Sequence, residues 1–171
     1  MQTTIDVIEL GQINHLAIPR GWEEREVEPL STQLWTLREF HPLDKPSVKL
    51  GIYYRGAPVS ERSGENFERL LAKDSHEIDG QEWWSVQEVL GTAALSARFE
   101  SRIACTQDWV GKRVLTVEGH WPATQEDSFT MWINAADHGC QVQELYYIAP
   151  SSEYLNFLTV AMAALESVQW K

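Results

Sequence analysis

The fold is decided in the C-terminal half of the sequence, where residues 98–148 read RFESRIACTQDWVGKRVLTVEGHWPATQEDSFTMWINAADHGCQVQELYYI. β-Branched and aromatic residues are frequent here, which is typical of strands. The four predicted strands are 98–106, 113–121, 130–135 and 141–148. Asp108–Lys112 connects the first pair, and Gly139 can adopt the positive φ that the second connection needs. Two consecutive hairpins make an antiparallel meander and not βαβ units.

The N-terminal half adds strands and a helix. Further strands are predicted at 4–9, 15–18, 33–38 and 48–54. A helix is predicted over Glu61–Lys73, because Phe67, Leu70 and Leu71 have the i, i+3, i+4 spacing of one apolar face. Ser63 or Ser60 would cap its first turn.

The segment 79–90 has two interpretations. Asp79 can cap a helix whose apolar face holds Trp83, Val86 and Leu90. Read with period two, the same stretch is a strand that presents Trp84, Val86 and Leu90 on one side. We favour the helix, ended by a glycine at position 91.

The last predicted helix follows Pro150, with a serine hydroxyl as cap and Glu153 in its first turn. Its predicted apolar stripe consists of Leu155, Leu158, Met162, Leu165 and Val168. We expect this stripe to lie across one sheet face. The chain is therefore predicted to be a single α+β domain over 1–171, with an antiparallel sheet of about six or more strands sandwiched by helices.

Composition excludes several classes of protein. The 171 residues are 43% hydrophobic and 23% charged, as in ordinary globular domains, and the net charge is −11. Such an acidic chain is a poor ligand for nucleic acid or anionic lipid, and suits either solvation or a basic protein partner. The sequence shows no secretory signal and no apolar run long enough for a membrane span. Since its two cysteines make no disulfide framework, we expect a cytoplasmic protein.

Motifs for chemistry are not recognisable. None of the five histidines stands in a zinc-binding frame, and no G-x-S-x-G elbow or glycine-rich phosphate loop occurs. His138 and Cys140 are two residues apart, but a third ligand is not identifiable, so a loop histidine beside a buried thiol is favoured. The acidic run Glu23, Glu24, Glu26 and Glu28 is a solvated edge or a site for a basic partner. We predict no catalytic, cofactor or metal site and no cofactor, and thus no enzyme.

Aromatic residues are the main signal for binding. The proposed partner-binding residues are Trp109, Trp121, Trp132, Tyr146 and Tyr147. Neighbouring residues on a strand point to opposite faces, so one of Tyr146 and Tyr147 should be core and the other exposed. Exposed tyrosines and tryptophans are frequent hot spots of protein interfaces. The alternative is that helices cover both sheet faces and every aromatic residue belongs to the core.

Three short stretches resemble the PsbP-like fold family: Ile18–Trp22, Trp109–Val114, and Tyr146–Pro150 with the helix that follows. That family includes the extrinsic photosystem II subunit, a nuclear-import factor that binds the GTPase Ran, DcrB-like proteins and type VI secretion effector chaperones. The resemblance implies helices around an antiparallel sheet, and members that mostly bind other proteins without catalysis. A photosystem role does not follow, because no lumenal targeting segment is visible.

Three functions are consistent with these observations. The first is a non-catalytic protein-binding adaptor or chaperone. The second is a small-ligand-binding protein or an unrecognised enzyme, with a pocket between sheet and helices to which Arg55, His120 or Glu144 would contribute. The third is a homo-oligomeric structural protein that buries its aromatic face by self-association.

Overall fold

The structure is a computed structural model that describes residues 5–25, 36–55, 58–136 and 139–171. The strands are β1 (Asp6–Leu10), β2 (Ile13–Ala17), β3 (Trp22–Arg25), β4 (Thr36–Pro42), β5 (Lys49–Tyr54), β6 (His76–Glu77), β7 (Glu100–Trp109), β8 (Lys112–Trp121), β9 (Glu126–Asn134), β10 (Val142–Pro150) and β11 (Gln169–Trp170). The helices are α1 (Glu61–Leu71), α2 (Gly80–Ser85), α3 (Gln87–Leu90), α4 (Thr92–Leu95) and α5 (Ser151–Glu166). Of the predicted strand 33–38, positions 33–35 lie outside the described residues.

Two antiparallel sheets are formed by these strands. The large sheet has eight strands in the order β3-β4-β5-β10-β9-β8-β7-β6, and the small sheet has the order β1-β2-β11. The meander of β7 to β10 is confirmed, since each strand pairs antiparallel with the next. Strand β10 then pairs antiparallel with β5, which joins the meander to the N-terminal strands. The predicted α+β class with a large antiparallel sheet is thus confirmed.

Helices and the small sheet pack on both faces of the large sheet. On one face Leu50, Met131 and Tyr147 pack with α5 and the small sheet. On the opposite face Leu115 and Val117 pack with α1, α3 and α4. The fold is therefore layered around two apolar clusters, as the alternation along each strand requires. In the described part of the chain, no helix has both the length and the apolar character that a bilayer crossing needs.

The first hairpin turns more tightly than predicted. Strand β7 continues to Trp109 and β8 begins at Lys112, so the connection is only two residues long. Val110 and Gly111 have φ values of 49° and 83°. Positive φ at both positions is typical of a type I′ turn, whose twist matches that of paired strands.

The segment 79–90 is helical, as favoured, but it is two helices instead of one. Asp79 forms a capping box with Glu82, which starts α2. The backbone then leaves the helical region at Val86, with φ −115° and ψ 20°, and α3 follows. The buried side chains of Val86 and Leu90 are on the predicted apolar face. In α1 it is Ser60 that caps, accepting a hydrogen bond from the Ser63 N–H.

The predicted face of α5 is wrong at Leu155, which is 77% exposed. Tyr154 is buried instead, because its ring stacks on Tyr147 with centroids 5.0 Å apart and its carbonyl accepts a hydrogen bond from the Tyr147 hydroxyl. This contact sets the rotation of the helix, so that Ala161 and Leu165 point into the core. The predicted serine cap is also absent from α5: the Ser151 hydroxyl bonds to the Gln125 carbonyl.

Candidate functional site

One part of the large sheet is less well covered than the rest. Helices α1, α3 and α4 pack over β7, β8 and β9, but on the same face of β4, β5 and β10 the side chains of Leu37, Tyr53 and Tyr146 are only half-buried. Beside them, at the junction of α3 and α4, lies a cavity of ≈ 530 Å³, here called the sheet cleft. The sheet cleft is lined by Leu37, Tyr53, Arg55, Gly91, Thr92, Glu144 and Tyr146.

Strand register places the floor of the sheet cleft. Leu37 pairs with Tyr53, and Tyr53 pairs with Glu144, so the three side chains form one cross-strand row. Trp132 continues this row on β9, where it is 2% exposed beneath the helices. The row therefore runs from the apolar core to a half-exposed surface, with the Glu144 carboxylate at the border.

A glycine lets Tyr146 lie flat on the sheet. Gly51 is its cross-strand partner on β5, and a Cβ atom there would be 2.0 Å from the Tyr146 Cζ atom. The ring therefore covers Gly51, and its hydroxyl donates a 2.6 Å hydrogen bond to Glu39 on β4. Arg25 binds the other carboxylate oxygen of Glu39 at 3.2 Å. Burial, together with the bond to Glu39, raises the pKa of Tyr146, so the hydroxyl stays protonated at neutral pH.

Arg55 forms the wall between the sheet and the helices. Its Nε donates to Glu144 Oε1 at 3.0 Å, and its Nη2 also bonds to that oxygen. The other bonds go to the carbonyls of Glu88 and Val89 at the end of α3, both at 2.6 Å. A Cβ atom at Gly91, where φ is +58°, would be 2.9 Å from Arg55 Nη2. Glycine at this position thus gives both the turn after α3 and room for the guanidinium.

The Arg55–Glu144 ion pair is largely shielded from water. The two side chains are 16% and 15% exposed. Burial raises the pKa of Glu144 above its usual 4.5, and the charge and hydrogen bonds of Arg55 oppose that rise. Trp132 lies close enough to lower the same pKa, although its Nε1 reaches no hydrogen-bond partner among the described residues. The Glu144 carboxyl group therefore lies in an apolar setting, in which Arg55 is the cation that favours its ionised form.

The predicted aromatic set does not form a single surface. Trp109, Trp132 and Tyr147 are buried at 9%, 2% and 0% exposure, and so present almost no surface to a partner in this conformation. Trp109 lies under α5, donating from Nε1 to the Leu165 carbonyl at 3.1 Å. Trp121 is half-buried and packs against Phe99 with ring centroids 4.6 Å apart. The set is split because alternate strand positions face opposite layers.

Within that set Tyr146 alone lines the sheet cleft. The pocket residues named from the sequence converge in part, since Arg55 and Glu144 meet there and His120 does not. His120 lies at the start of α5, where its Nδ1 is 2.9 Å from Asp127 Oδ1 and 3.5 Å from Ser151 Oγ. A serine–histidine–aspartate relay needs the serine and the aspartate on different ring nitrogens. Both contacts are to Nδ1, so the ring in this orientation does not bridge the serine and the aspartate.

The remaining polar residues named from the sequence are dispersed. Glu24 makes a bidentate pair with Arg38 at 2.7 Å, and Glu23 lies 3.7 Å from His41, while positions 26 and 28 are outside the described residues. Cys105 contacts the Thr116 hydroxyl at 3.3 Å, and neither Cys105 nor Cys140 is in a disulfide. Position 138 is likewise outside the described residues. Among those that are described, no three His, Cys, Asp or Glu side chains are grouped to hold a metal ion.

Comparison of the sequence with models of known families and with characterised proteins finds no match. Solved structures do match. The solution structure of cyanobacterial PsbP (CyanoP) from Synechocystis is 10% identical, covering 100% of this chain and 94% of its own, with a TM-score of 0.57. The crystal structure of LpqN, involved in cell envelope biogenesis of Mycobacterium tuberculosis, is 11% identical, covering 99% of this chain and 91% of its own, with a TM-score of 0.53. The resemblance expected from the sequence is thus confirmed at the level of the fold, and the chain has a PsbP-like fold.

Proposed function

We propose that this protein is a non-catalytic binding protein, and that a partner protein inserts a basic side chain into the sheet cleft. The observation that carries the proposal is that Tyr53, Glu144 and Tyr146 line the sheet cleft with partly exposed side chains, on a sheet face that is otherwise packed. Tyrosine is frequent among interface anchors, because it offers a large contact area with a polar tip.

The carboxylate of Glu144 favours a hydrogen-bond donor as the inserted group. Both Arg55 bonds go to Glu144 Oε1, and Oε2 accepts no hydrogen bond from the described residues. An arginine or lysine side chain would donate to Oε2 and place its charge near the faces of Tyr53 and Tyr146. The net charge of −11 would speed the approach of such a basic partner.

A small cationic ligand is the second function supported by the sheet cleft. Its volume of ≈ 530 Å³ falls within the range of about 300–1,000 Å³ that ligand pockets occupy. The same donor–acceptor chemistry at Glu144 would apply, but the ligand would stay with the purified protein instead of belonging to another chain.

Site-specific photocrosslinking in the native cells tests the proposal. Thr92 lines the sheet cleft and is exposed, so we would place p-benzoylphenylalanine there, with Leu155 on the outer side of α5 as the control position. We expect one crosslinked protein from position 92, attached next to an arginine or lysine, and none from position 155. Glu144→Gln in the position 92 variant should weaken that product.

Two outcomes would separate the functions. The same products from both positions, or none from position 92, would contradict binding of a protein in the sheet cleft. Native mass spectrometry of the unmodified protein then decides on the small ligand, since a retained cationic compound displaced by Glu144→Gln would support that alternative.

A further inference from the structure

The outermost strand of the large sheet is also its shortest. Strand β6 has two residues, which pair with positions 105 and 106 of β7. One further backbone hydrogen bond, from the Ile78 N–H to the Ala104 carbonyl at 2.9 Å, completes the attachment. An outer strand hides the backbone N–H and C=O groups of its neighbour, which would otherwise be a template for another strand. Whatever holds β6 in place therefore controls access to this part of β7.

A histidine on β6 has contacts at both ring nitrogens. His76 Nδ1 lies 2.7 Å from the Asp74 carbonyl oxygen, and Nε2 lies 3.0 Å from both carboxylate oxygens of Glu82. The first contact ties β6 to the segment that follows α1, and the second ties it to the first turn of α2. The Thr106 hydroxyl on β7 lies 3.2 Å from Nδ1. The His76 ring thus joins β6 to the elements on either side of it in sequence.

These two contacts require a proton on each nitrogen of the ring. A carbonyl oxygen and a carboxylate accept hydrogen bonds but donate none. Neutral histidine has a single ring N–H, so either tautomer would point a lone pair at an acceptor. The imidazolium form donates to both Asp74 and Glu82, and the second bond is strengthened by opposite charges. The geometry therefore favours protonated His76 as long as β6 and α2 keep their present places.

The surroundings of His76 act in the same direction. The hydrogen bonds to the Asp74 carbonyl and to Glu82 raise the pKa of His76 above its usual 6.5, against partial desolvation and the charge of Lys73. The pKa of Glu82 is lowered to about 2, chiefly by its hydrogen bond from Lys73, so Glu82 is ionised wherever histidine titrates. The charged side chains on the elements around His76 are Lys73 and Asp74 after α1, Glu77 on β6, Asp79 and Glu82 at α2, Asp108 on β7, and Arg113 on β8, which bonds to the Ser75 hydroxyl.

We propose that His76 and Glu82 form a pH-dependent latch, which holds β6 on the edge of β7 while the imidazole is protonated and loosens it when the proton is lost. A neutral ring with its proton on Nδ1 keeps the Asp74 contact and loses Glu82, and the other tautomer does the reverse. Either way one of the two contacts is lost. Glu82 keeps its bonds from Lys73 and from the Asp79 N–H, so α2 stays capped and the loosening is confined to β6.

The direction of the pH dependence follows from the contacts of the protonated ring. A histidine whose pKa is higher in the latched state than in the open state contributes stability that is complete below the open-state value of about 6.5. This contribution is lost as pH rises through the latched-state value. Strand β6 is thus held most firmly in mildly acidic solution and least firmly above neutral pH. Its release would free the Ala104 carbonyl, and with it this stretch of the β7 edge, for an added strand.

Two NMR measurements on the whole chain test the latch. The first titrates the imidazole C–H signals: we expect His76 to titrate above pH 6.5 in the wild type and at lower pH in Glu82→Gln, where a neutral amide replaces the carboxylate. The second follows hydrogen exchange at the Ile78 N–H, whose bond to Ala104 reports on the attachment of β6. Its protection factor, which is corrected for the intrinsic pH dependence of exchange, should fall severalfold from pH 5.5 to pH 8.

Matched controls separate the latch from general effects of pH. In His76→Gln the side chain does not titrate, so protection of the Ile78 N–H should no longer depend on pH in this range. Lys73→Gln removes the other side chain bound to Glu82 and leaves both His76 contacts in place, so the pH dependence should persist. The N–H of Leu145, in a strand paired on both sides, is the internal reference, and its protection should change much less than that of Ile78.

Four results would overturn the proposal. These are a His76 pKa at or below 6.5, protection of Ile78 that does not change with pH, the same change in His76→Gln, or a parallel loss of protection at Ile78 and Leu145. The last of these would assign the pH dependence to the whole fold and not to β6. None of the replaced side chains belongs to either apolar cluster, so far-UV circular dichroism should show that all three variants remain folded.

Discussion

The replacement Arg55→Met tests how much the ion pair at the sheet cleft contributes to the free energy of unfolding. Methionine keeps the length of the side chain but leaves the Glu144 carboxylate, 15% exposed, without its cation. Breaking a buried pair in this way costs about 3–5 kcal/mol. We expect a loss of about 4 kcal/mol in the free energy of unfolding at pH 7, since some water still reaches the site.

The loss has two parts that pH separates. The bonds from Arg55 to the Glu88 and Val89 carbonyls are lost at every pH, at a cost of about 2–3 kcal/mol together. The rest is the cost of the unpaired carboxylate, and it vanishes when Glu144 is protonated. Burial already raises the pKa of Glu144 above 4.5 with Arg55 in place, and removal of the Arg55 guanidinium raises that pKa further.

The sign of the pH dependence follows from this rise. A carboxyl group whose pKa is higher in the folded state contributes stability that is fully present below the unfolded value and is lost as pH rises through the folded value. The variant should therefore be closest to wild type near pH 4.5, with a deficit of about 2–3 kcal/mol. At higher pH the deficit should grow towards about 4 kcal/mol.

Urea unfolding followed by tryptophan fluorescence at pH 4.5, 6.0 and 7.5 measures these deficits. Arg55→Met/Glu144→Leu is the matched double variant, and its deficit should not depend on pH, because the carboxylate is gone. Arg98→Met, at an exposed site, should change stability by less than about 0.5 kcal/mol. A deficit of Arg55→Met that is the same at all three pH values would refute the reasoning.

Three further predictions concern packing and charge. Gly51→Ala places a methyl group against the Tyr146 ring and should destabilise by about 1–3 kcal/mol in urea, with a much smaller effect when Tyr146 is already alanine. Leu165→Ala should cost about 2–5 kcal/mol and Leu155→Gln less than about 0.5 kcal/mol, and equal effects would contradict the orientation of α5. Glu82 has a pKa lowered to about 2, so the stability that its ionised carboxylate contributes is present above pH 4.5 and is lost as pH falls towards 2. In Glu82→Gln the melting temperature should therefore depend less on pH in this window than in the wild type, and an equal dependence would contradict the lowered pKa.

The parts of the fold that were predictable are those in which local pattern and long-range packing agree. The meander followed from runs rich in β-branched and aromatic residues and from the short connections between the four strands of 98–148. The break at Val86 was not visible, because the apolar positions on either side keep helical spacing. The face of α5 was misjudged for a related reason: from Tyr154 to Leu165 the helix has no charged residue, so Leu155 and Tyr154 are equally good core residues until the stacking on Tyr147 decides between them.

The sheet cleft was only partly predictable. Arg55 and Glu144 were named as pocket residues, but what brings them together is the pairing of β5 with β10. These strands are far apart in sequence, and alternation predicts which residues share a face of one strand without giving the register between two strands. Gly51 carried a signal that could have been used, since a glycine inside a strand often marks the close approach of a cross-strand aromatic ring.

The most direct test of a basic side chain in the sheet cleft is an NMR titration with acetyl-arginine amide, against the neutral analogue acetyl-citrulline amide. We expect saturable chemical-shift changes centred on Tyr53, Thr92 and Tyr146, with a dissociation constant in the millimolar range for the arginine compound. The citrulline compound should give several-fold weaker changes, and both responses should be lost in Glu144→Gln. Equal responses to arginine and citrulline, or shifts spread over the acidic surface and unaffected by Glu144→Gln, would contradict this expectation.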